Sequence, residues 1–264
     1  MSSTTSGKQT PSCNGYSARV VCLIPARYSS SRFEGKPLAD LCGRPMVRHV
    51  YDRVLRSGRV SFTAVVTDDE RIFRAVRGFG GNAIMTSSRH RSGTDRIAEA
   101  AATLDLDGRD IVVNVQGDQP LFEPDQIAEV IEPLVRDEAL AFSTLIYRIR
   151  RQEEISHPHA VKVVFDREGF ALYFSRAQVP YVRDTEGKAD YYKHHGIYAY
   201  RRSFLAEFAA LEQSRLERLE ALEQLRALEN GFRIKVVESA YDSVEVDSPE
   251  ELERVRRILE GKGT

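Results

Sequence analysis

Short β-branched runs alternate with amphipathic stretches from Arg19 onward, and this alternation limits the possible folds more than any other feature of the chain. The order runs RVVCLI, PMVRHVYDRVLRSG, FTAVVT, DDERIFRAVRGFGG, NAIMT, SGTDRIAEAAATL, DIVVNV and EPDQIAEVIEPLV. A strand and helix rhythm of this kind predicts an α/β fold, with a mainly parallel sheet covered by helices on both faces. Beyond residue 140 the pattern becomes strand-rich, with AFSTLIYRI, AVKVVFD and GFALYFSR. The tight Arg167-Glu168-Gly169 turn predicts an antiparallel hairpin, and the stretch from about 140 to 200 is expected to form a smaller strand-rich subdomain. The polar RDTEGKADYYK reads as an exposed loop before the strand HGIYAY. One helix is expected from about Leu216 to Glu229, stopped by Asn230-Gly231. A strand FRIKVVES precedes VEVDSPEELERVRRIL, in which Ser248 is the expected N-cap, Pro249 the first helical residue and Glu251 the partner in a capping box. Residues 1–17 hold 12 of Ser, Thr, Gly, Pro or Asn. They are expected to be a disordered leader to a single domain spanning 18–264.

Charge and cysteine usage exclude several partners. Lys plus Arg number 38 against 39 for Asp plus Glu, so no global field holds the chain on nucleic acid or an anionic membrane. Any bound anion must meet a local cluster. Cys13, Cys22 and Cys42 form no C-x-x-C pair, which suits reduced thiols and argues against a structural zinc site. No run approaches the roughly 18 apolar residues of a membrane span, and no signal core lies near the N-terminus, so a cytoplasmic protein is expected.

Two common phosphate-binding signatures are missing: G-x-x-x-x-G-K-[ST], and a G-x-G-x-x-G turn after the first strand. The first strand leads instead into PARYSSSRFEGKPL, residues 25 to 38, with Arg27, Arg32 and Lys36 five and four residues apart. Open α/β sheets bind ligands at the carboxyl ends of their strands, where this loop falls. Arg grips phosphate oxygens in a fork, whereas Lys acts as a point charge. Three cations alone are also what an ordinary solvated loop carries.

The loop resembles the P-A-R-x-x-S-[ST]-R-x-P-G-K-P-L opening of the 3-deoxy-manno-octulosonate (Kdo) cytidylyltransferases. TDDERI, HRSGTDRIAE, VVNVQGDQP, AVKVV, ALYFSRAQVP, HGIYAYR, LEQLRALENG and VDSPEELERV are similar to that family's blocks in the same order, over roughly Val20 to Leu259. The sugar-1-phosphate nucleotidyltransferases open instead with a Gly-rich G-x-G-T-R-x-x-P-x-x-K pattern that this chain lacks. The resemblance implies a nucleotide-diphospho-sugar-transferase-like, Rossmann-like sheet and a homodimer paired through the strand-rich part. It also implies a reaction in which the anomeric hydroxyl of a sugar acid attacks the α-phosphorus of CTP and pyrophosphate leaves, with Mg²⁺ as cofactor.

The resemblance assigns site residues one by one. It implies that Arg27, Arg32 and Lys36 hold the triphosphate, and that Asp118 and Asp247, each expected at the end of a strand, hold the metal. Arg32, Lys36, Asp118 and Asp247 are then the catalytic set. Ser92, Arg96 and Gln116 match nucleotide contacts, and Gln116 also reaches the sugar with His194, Tyr198, Glu223 and Gln224. Plainer readings stand beside these. Asp118 suits a turn, Asp247 a helix start and Ser92 an N-cap. His194 and Tyr198 suit a core rim, and Glu223 and Gln224 the solvated face of a Leu-rich helix.

The chain departs from the family pattern at Glu34 (usually Pro), Arg91 (commonly Gln), Gln119 (usually Glu) and His159 (commonly Asn). The metal and phosphate positions are untouched, so the departures bear on the acceptor: Kdo, 8-amino-Kdo, Kdn or an acid of a specialised pathway. A non-catalytic homologue would have lost Asp118, Asp247 or Lys36, and all three are present.

Overall fold

The structure is a computed structural model and describes residues 18–29, 33–90, 92–184 and 189–262. The expected leader 1–17, Arg32, Arg91 and part of the polar loop before HGIYAY lie outside the described residues. In the first half, β1 (Val20–Pro25) leads through the short pair β2 (Asp40–Leu41) and β3 (Arg44–Pro45) into α1 (Met46–Arg56). Next come β4 (Phe62–Thr67), α2 (Glu70–Gly78), β5 (Ala83–Met85), α3 (Gly93–Ala102), β6 (Ile111–Val115) and α4 (Asp125–Arg136). The second half contains β7 (Phe142–Arg148), α5 (Gln152–Ser156), β8 (Lys162–Phe165), β9 (Ala171–Ser175) and β10 (Tyr192–Arg201). It ends with α6 (Arg202–Ala210), α7 (Arg215–Glu220), α8 (Gln224–Glu229), β11 (Lys235–Glu238) and α9 (Pro249–Leu259).

Nine strands form one sheet in the order β11-β7-β10-β6-β1-β4-β5, with β8 pairing to β10 and β9 to β8. The sheet is mixed and mostly parallel. Along that main order β10 alone runs against its neighbours β6 and β7, while β6, β1, β4 and β5 are mutually parallel and β11 is parallel to β7. The stretch from 140 to 200 is continuous with this sheet, because β7 and β10 lie inside it. The β8–β9 hairpin forms as expected and joins it where Lys162 pairs with Lys193.

Two cores, one on each face, arise from the period of two along a strand. On β1, Val20, Cys22 and Ile24 pack with α1, α2 and α4 through Val47, Val50, Ile72 and Ile131. Val21 and Leu23 face the other way, against α3 and α6 through Ile97, Phe204 and Phe208. A strand buried on both faces reads as continuously apolar, which is why RVVCLI shows no alternation. Phe142 anchors the second core, with its ring centroid 4.7 Å from that of Tyr200 and 5.5 Å from that of Phe204. A third, smaller cluster of Leu41, Met46, Val246, Leu252 and Val255 docks α9 and the segment before it.

One expected helix is two. The run from Leu216 to Glu229 breaks at Ala221, which adopts the left-handed conformation at φ 51°, ψ 51°. The cause is tertiary. The Glu220 carboxylate accepts from Ser175 Oγ at 2.7 Å and from the Arg176 N–H at 2.9 Å, and the Glu220 carbonyl accepts from Arg176 Nε at 2.7 Å. These bonds hold the end of α7 against β9. The apolar pattern runs on through the break because Leu222 and Leu225 are both buried. The start of α9 is as expected: Ser248 Oγ accepts from the Glu251 N–H and Glu251 accepts from the Ser248 N–H. Among the described residues no helix is long and apolar enough to cross a membrane.

Candidate active site

The loop after β1 closes on itself before it reaches Lys36. The Gly35 N–H donates to the Tyr28 carbonyl at 2.8 Å. Gly35 has φ +70°, and a Cβ there would lie 3.1 Å from the Tyr28 ring. Glycine is required twice over, for the left-handed backbone and for the close ring. The closed turn delivers the Lys36 ammonium to a point 2.7 Å from Asp118 Oδ2 and 3.1 Å from Asp247 Oδ1. Burial lowers the pKa of Lys36, but the two carboxylates outweigh it and the net shift is upward, so the ammonium stays charged.

Asp118 comes just after β6, at a strand end as expected. Asp247 does not sit at one: β11 stops at Glu238, and an irregular segment carries the chain to Asp247. This segment is drawn in by the Val246 N–H, which donates to the Asp118 carbonyl at 2.9 Å. Two aspartates converging on one ammonium make a place suited to positive charge, and their hard oxygens are the ligand type magnesium takes. Among the described residues no group of three or more His, Cys, Asp or Glu is placed to hold a metal. A cation bound here would take these two aspartates from the described residues and complete its shell with phosphate and water oxygens.

Arg27 points to a different partner from Lys36. It is half-buried beside Arg96, and burial together with the Arg96 charge lowers its pKa. Its Nη2 has no hydrogen-bond partner among the described residues. Arg96 is fully buried, donates from Nη1 to Thr86 Oγ1 at 2.6 Å and pairs through Nη2 with Asp68 at 3.0 Å. Buried N–H groups without partners are costly unless an anion satisfies them. Ser92 is the N-cap of α3, its Oγ accepting from the Asp95 N–H at 3.0 Å, so the plainer reading of that residue holds. Gln116 donates to Asn114 Oδ1 at 3.2 Å.

The four residues expected to receive the sugar are also brought near one another. A register shift between His195 and Tyr198 still leaves His194 and Tyr198 in contact, with ring centroids 5.3 Å apart. His194 Nε2 lies 2.9 Å from Thr144 Oγ1, and burial, then the His195 charge, lowers its pKa to about 3. His194 is thus a neutral hydrogen-bonding group. Glu223, turned inward by the break at Ala221, accepts from Thr94 Oγ1 at 2.5 Å, and its burial raises its pKa. Gln224 is buried, with Nε2 unpartnered among the described residues, so neither residue lies on a solvated helix face. A cavity of about 400 Å³ is lined by Ser92, Asp95, Glu223 and Arg226. A wider cleft of about 1000 Å³ runs past His194 to Asp247, with His157 and His159 on its wall.

Several residues of the site were not singled out from the sequence. Asp68 orients Arg96, Thr94 and Thr144 orient Glu223 and His194, and Glu245 stands beside the aspartates. Glu245 opens onto the wider cleft. Asp68 and Thr94 lie within the family-like blocks TDDERI and HRSGTDRIAE but carry no distinguishing residue type. Glu245 has no local signal at all.

Cations after the first strand beside a pair of carboxylates are the groups that a nucleotidyltransferase reaction requires. Residues 21–236 match the family described as cytidylyltransferase. A 3-deoxy-manno-octulosonate cytidylyltransferase of Syntrophus aciditrophicus is 70% identical over 244 residues, 92% of this chain and 98% of the relative. That of Desulfatibacillum aliphaticivorans is 54% identical over 91% of this chain and 98% of its own length. The solved structure of a CMP:2-keto-3-deoxy-manno-octonic acid synthetase complexed with CTP superposes with a TM-score of 0.87 at 43% identity, covering 93% of this chain and all of that one. A 4-diphosphocytidyl-2C-methyl-D-erythritol synthase, at 14% identity and a TM-score of 0.62, shares the fold. The chain belongs to the 3-deoxy-manno-octulosonate cytidylyltransferase family.

Proposed function

We propose that this enzyme transfers the cytidine monophosphate group of CTP to 3-deoxy-manno-octulosonate, giving the CMP-sugar and pyrophosphate. The observation that carries the reading is the convergence of Lys36, Asp118 and Asp247, with Asp247 on the wall of the cleft that also passes His194, itself in ring contact with Tyr198. In this reaction the anomeric hydroxyl of the sugar acid forms a bond to the α-phosphorus, the bond to the pyrophosphate oxygen breaks, and the hydroxyl proton is released. Such transfers need in-line positioning and neutralised phosphate charge more than covalent help. Arg27 and Lys36, with Arg32 of the same loop, neutralise the triphosphate.

Asp118 and Asp247 would hold Mg²⁺, which when bound supplies further positive charge to the phosphates as negative charge moves to the leaving group. Gln116, His194, Tyr198, Glu223 and Gln224 receive the sugar. His194 contributes as a neutral donor or acceptor, so its ring does not counter the sugar's carboxylate. Ser92 and Arg96 face the nucleotide side.

A homodimer is part of the proposal. It follows the family resemblance and the strand-rich stretch from about 140 to 200, since an extended hairpin is rarely stable alone. A cytoplasmic setting agrees with Cys22 and Cys42, which are both free thiols. The test is pyrophosphate release from CTP and Mg²⁺ with Kdo, 8-amino-Kdo and Kdn as alternative acceptors. Kdo is expected to give the highest kcat/KM. Preference for another acid would move the acceptor assignment, and no release with any of them would remove the reaction.

A further inference from the structure

The two metal-type aspartates come from segments 129 residues apart in the chain, and only one of them sits on a regular strand end. Asp118 is held by the turn that leaves β6. Asp247 rides on an irregular segment between β11 and α9, so something else must set its distance from Asp118. Two bonds join the segments directly. One is the backbone bond from the Val246 N–H to the Asp118 carbonyl, 2.9 Å. The other links the residues flanking the aspartates: Gln119 Nε2 donates to Glu245 Oε1 at 3.0 Å. Gln119 is fully buried, its other amide atom is without a partner among the described residues, and a side chain at Gly196 of β10 would come within 3.3 Å of its Nε2. Gln119 is thus pinned in place, whereas Glu245 opens onto the cleft and depends on Gln119 for its position.

We propose that the Gln119–Glu245 hydrogen bond is a staple that sets the separation of Asp118 and Asp247, making both residues positioning residues for the metal. The inference rests on the reading of the aspartates as metal ligands. It also accounts for the departure at position 119. An amide donates to the Glu245 carboxylate, whereas the usual Glu, when ionised, would set two carboxylates face to face beside two more. The role lies in the bond and its geometry, with the charge of Glu245 secondary. A neutral amide at 245 can still accept from Gln119, so Glu245→Gln preserves the staple while Glu245→Leu and Gln119→Leu break it.

The experiment is a titration of Mn²⁺ into the full-length protein saturated with a non-hydrolysable α,β-methylene analogue of CTP, monitored by electron paramagnetic resonance, with melting curves alongside. Breaking a partner that orients a metal ligand typically weakens metal binding by about 10-fold or more, and this is expected for both Leu variants with little change in melting temperature. Glu245→Gln is expected to bind Mn²⁺ within about twofold of the parent protein, because its hydrogen bond survives. If a Leu variant fails to fold, the reversed pair Gln119→Glu with Glu245→Gln carries the test, since it redraws the same bond in the opposite direction and is expected to bind normally. Parent-like Mn²⁺ binding in folded Leu variants would overturn the staple. So would a Glu245→Gln protein as impaired as Glu245→Leu, or a folded reversed pair that binds weakly. Asp118→Asn serves as the control: loss of binding there with no loss in the Leu variants removes the staple alone, while unchanged binding in Asp118→Asn removes the metal reading and the staple together.

Discussion

The Lys36 ammonium lies 2.7 Å from Asp118 Oδ2, joining the loop after the first strand to the turn after the sixth. The same ammonium lies 3.1 Å from Asp247, so one cation screens two carboxylates. Removing it by Lys36→Ala leaves two like charges facing each other. Turnover is expected to fall by about 10²-fold, as for loss of a preorganised charge. The melting temperature is expected to drop without Mg²⁺ and recover with it, while turnover does not recover. A melting curve indifferent to Mg²⁺ in this variant would separate the aspartates from any cation site.

Asp118→Asn and Asp247→Asn each remove a charged ligand while keeping the shape of the side chain. Each is expected to lower kcat by about 10²-fold or more, with a smaller effect on the KM for CTP. The measurement is steady-state pyrophosphate release across a range of Mg²⁺ concentrations. Near-normal turnover of either variant at low Mg²⁺ would take that residue out of the metal site.

Glu223, proposed to receive the sugar, accepts from Thr94 Oγ1 at 2.5 Å. Glu223→Ala is expected to reduce kcat/KM for the sugar acid by about 10-fold to 100-fold, the range for a hydrogen-bonding partner removed within a closed site. Affinity for CTP, measured by calorimetry, is expected to stay close to that of the parent. A defect confined to CTP binding would mean that the acceptor pocket lies elsewhere.

His194 gives a pH prediction whose sign is set by its burial. Its pKa is lowered from 6.5 to about 3, so the folded protein favours the neutral ring. The stability this group contributes is complete above pH 6.5 and is lost progressively as pH falls toward 3, because the unfolded chain takes up a proton that the folded one resists. His194→Gln, which keeps a hydrogen-bonding group near Thr144, is expected to flatten the fall of melting temperature across that window. Imidazole NMR resonances with a midpoint near 6.5 in the folded protein would refute the buried neutral ring.

Much of the fold was legible because strands and helices leave periodic marks. The β1 run, the Arg167-Glu168-Gly169 hairpin and the Ser248 capping box all depend on residues within a few positions of one another, and each forms as the sequence predicts. The break in the run from Leu216 to Glu229 was not legible. It depends on Glu220 meeting Ser175 and Arg176, more than forty residues earlier in the chain, while the Leu spacing continues undisturbed.

The candidate site divides along the same line. The cations at Arg27 and Lys36, the Asp118 turn and the start of the last helix were visible as residue types in local order, and the family resemblance attached chemistry to them. Asp68 beside Arg96, Thr94 beneath Glu223, and Glu245 reached by Gln119 could not. By itself the sequence determined an α/β chain, since local patterns specify elements, and its resemblance to the cytidylyltransferases named the candidate site residues. Only the tertiary structure decided that Lys36 serves the aspartates while Arg27 lies beside Arg96, and that Asp247 reaches Asp118 through an irregular segment. Those pairings depend on where the sheet order and the two cores bring distant segments together, and no pattern along the chain encodes that distance.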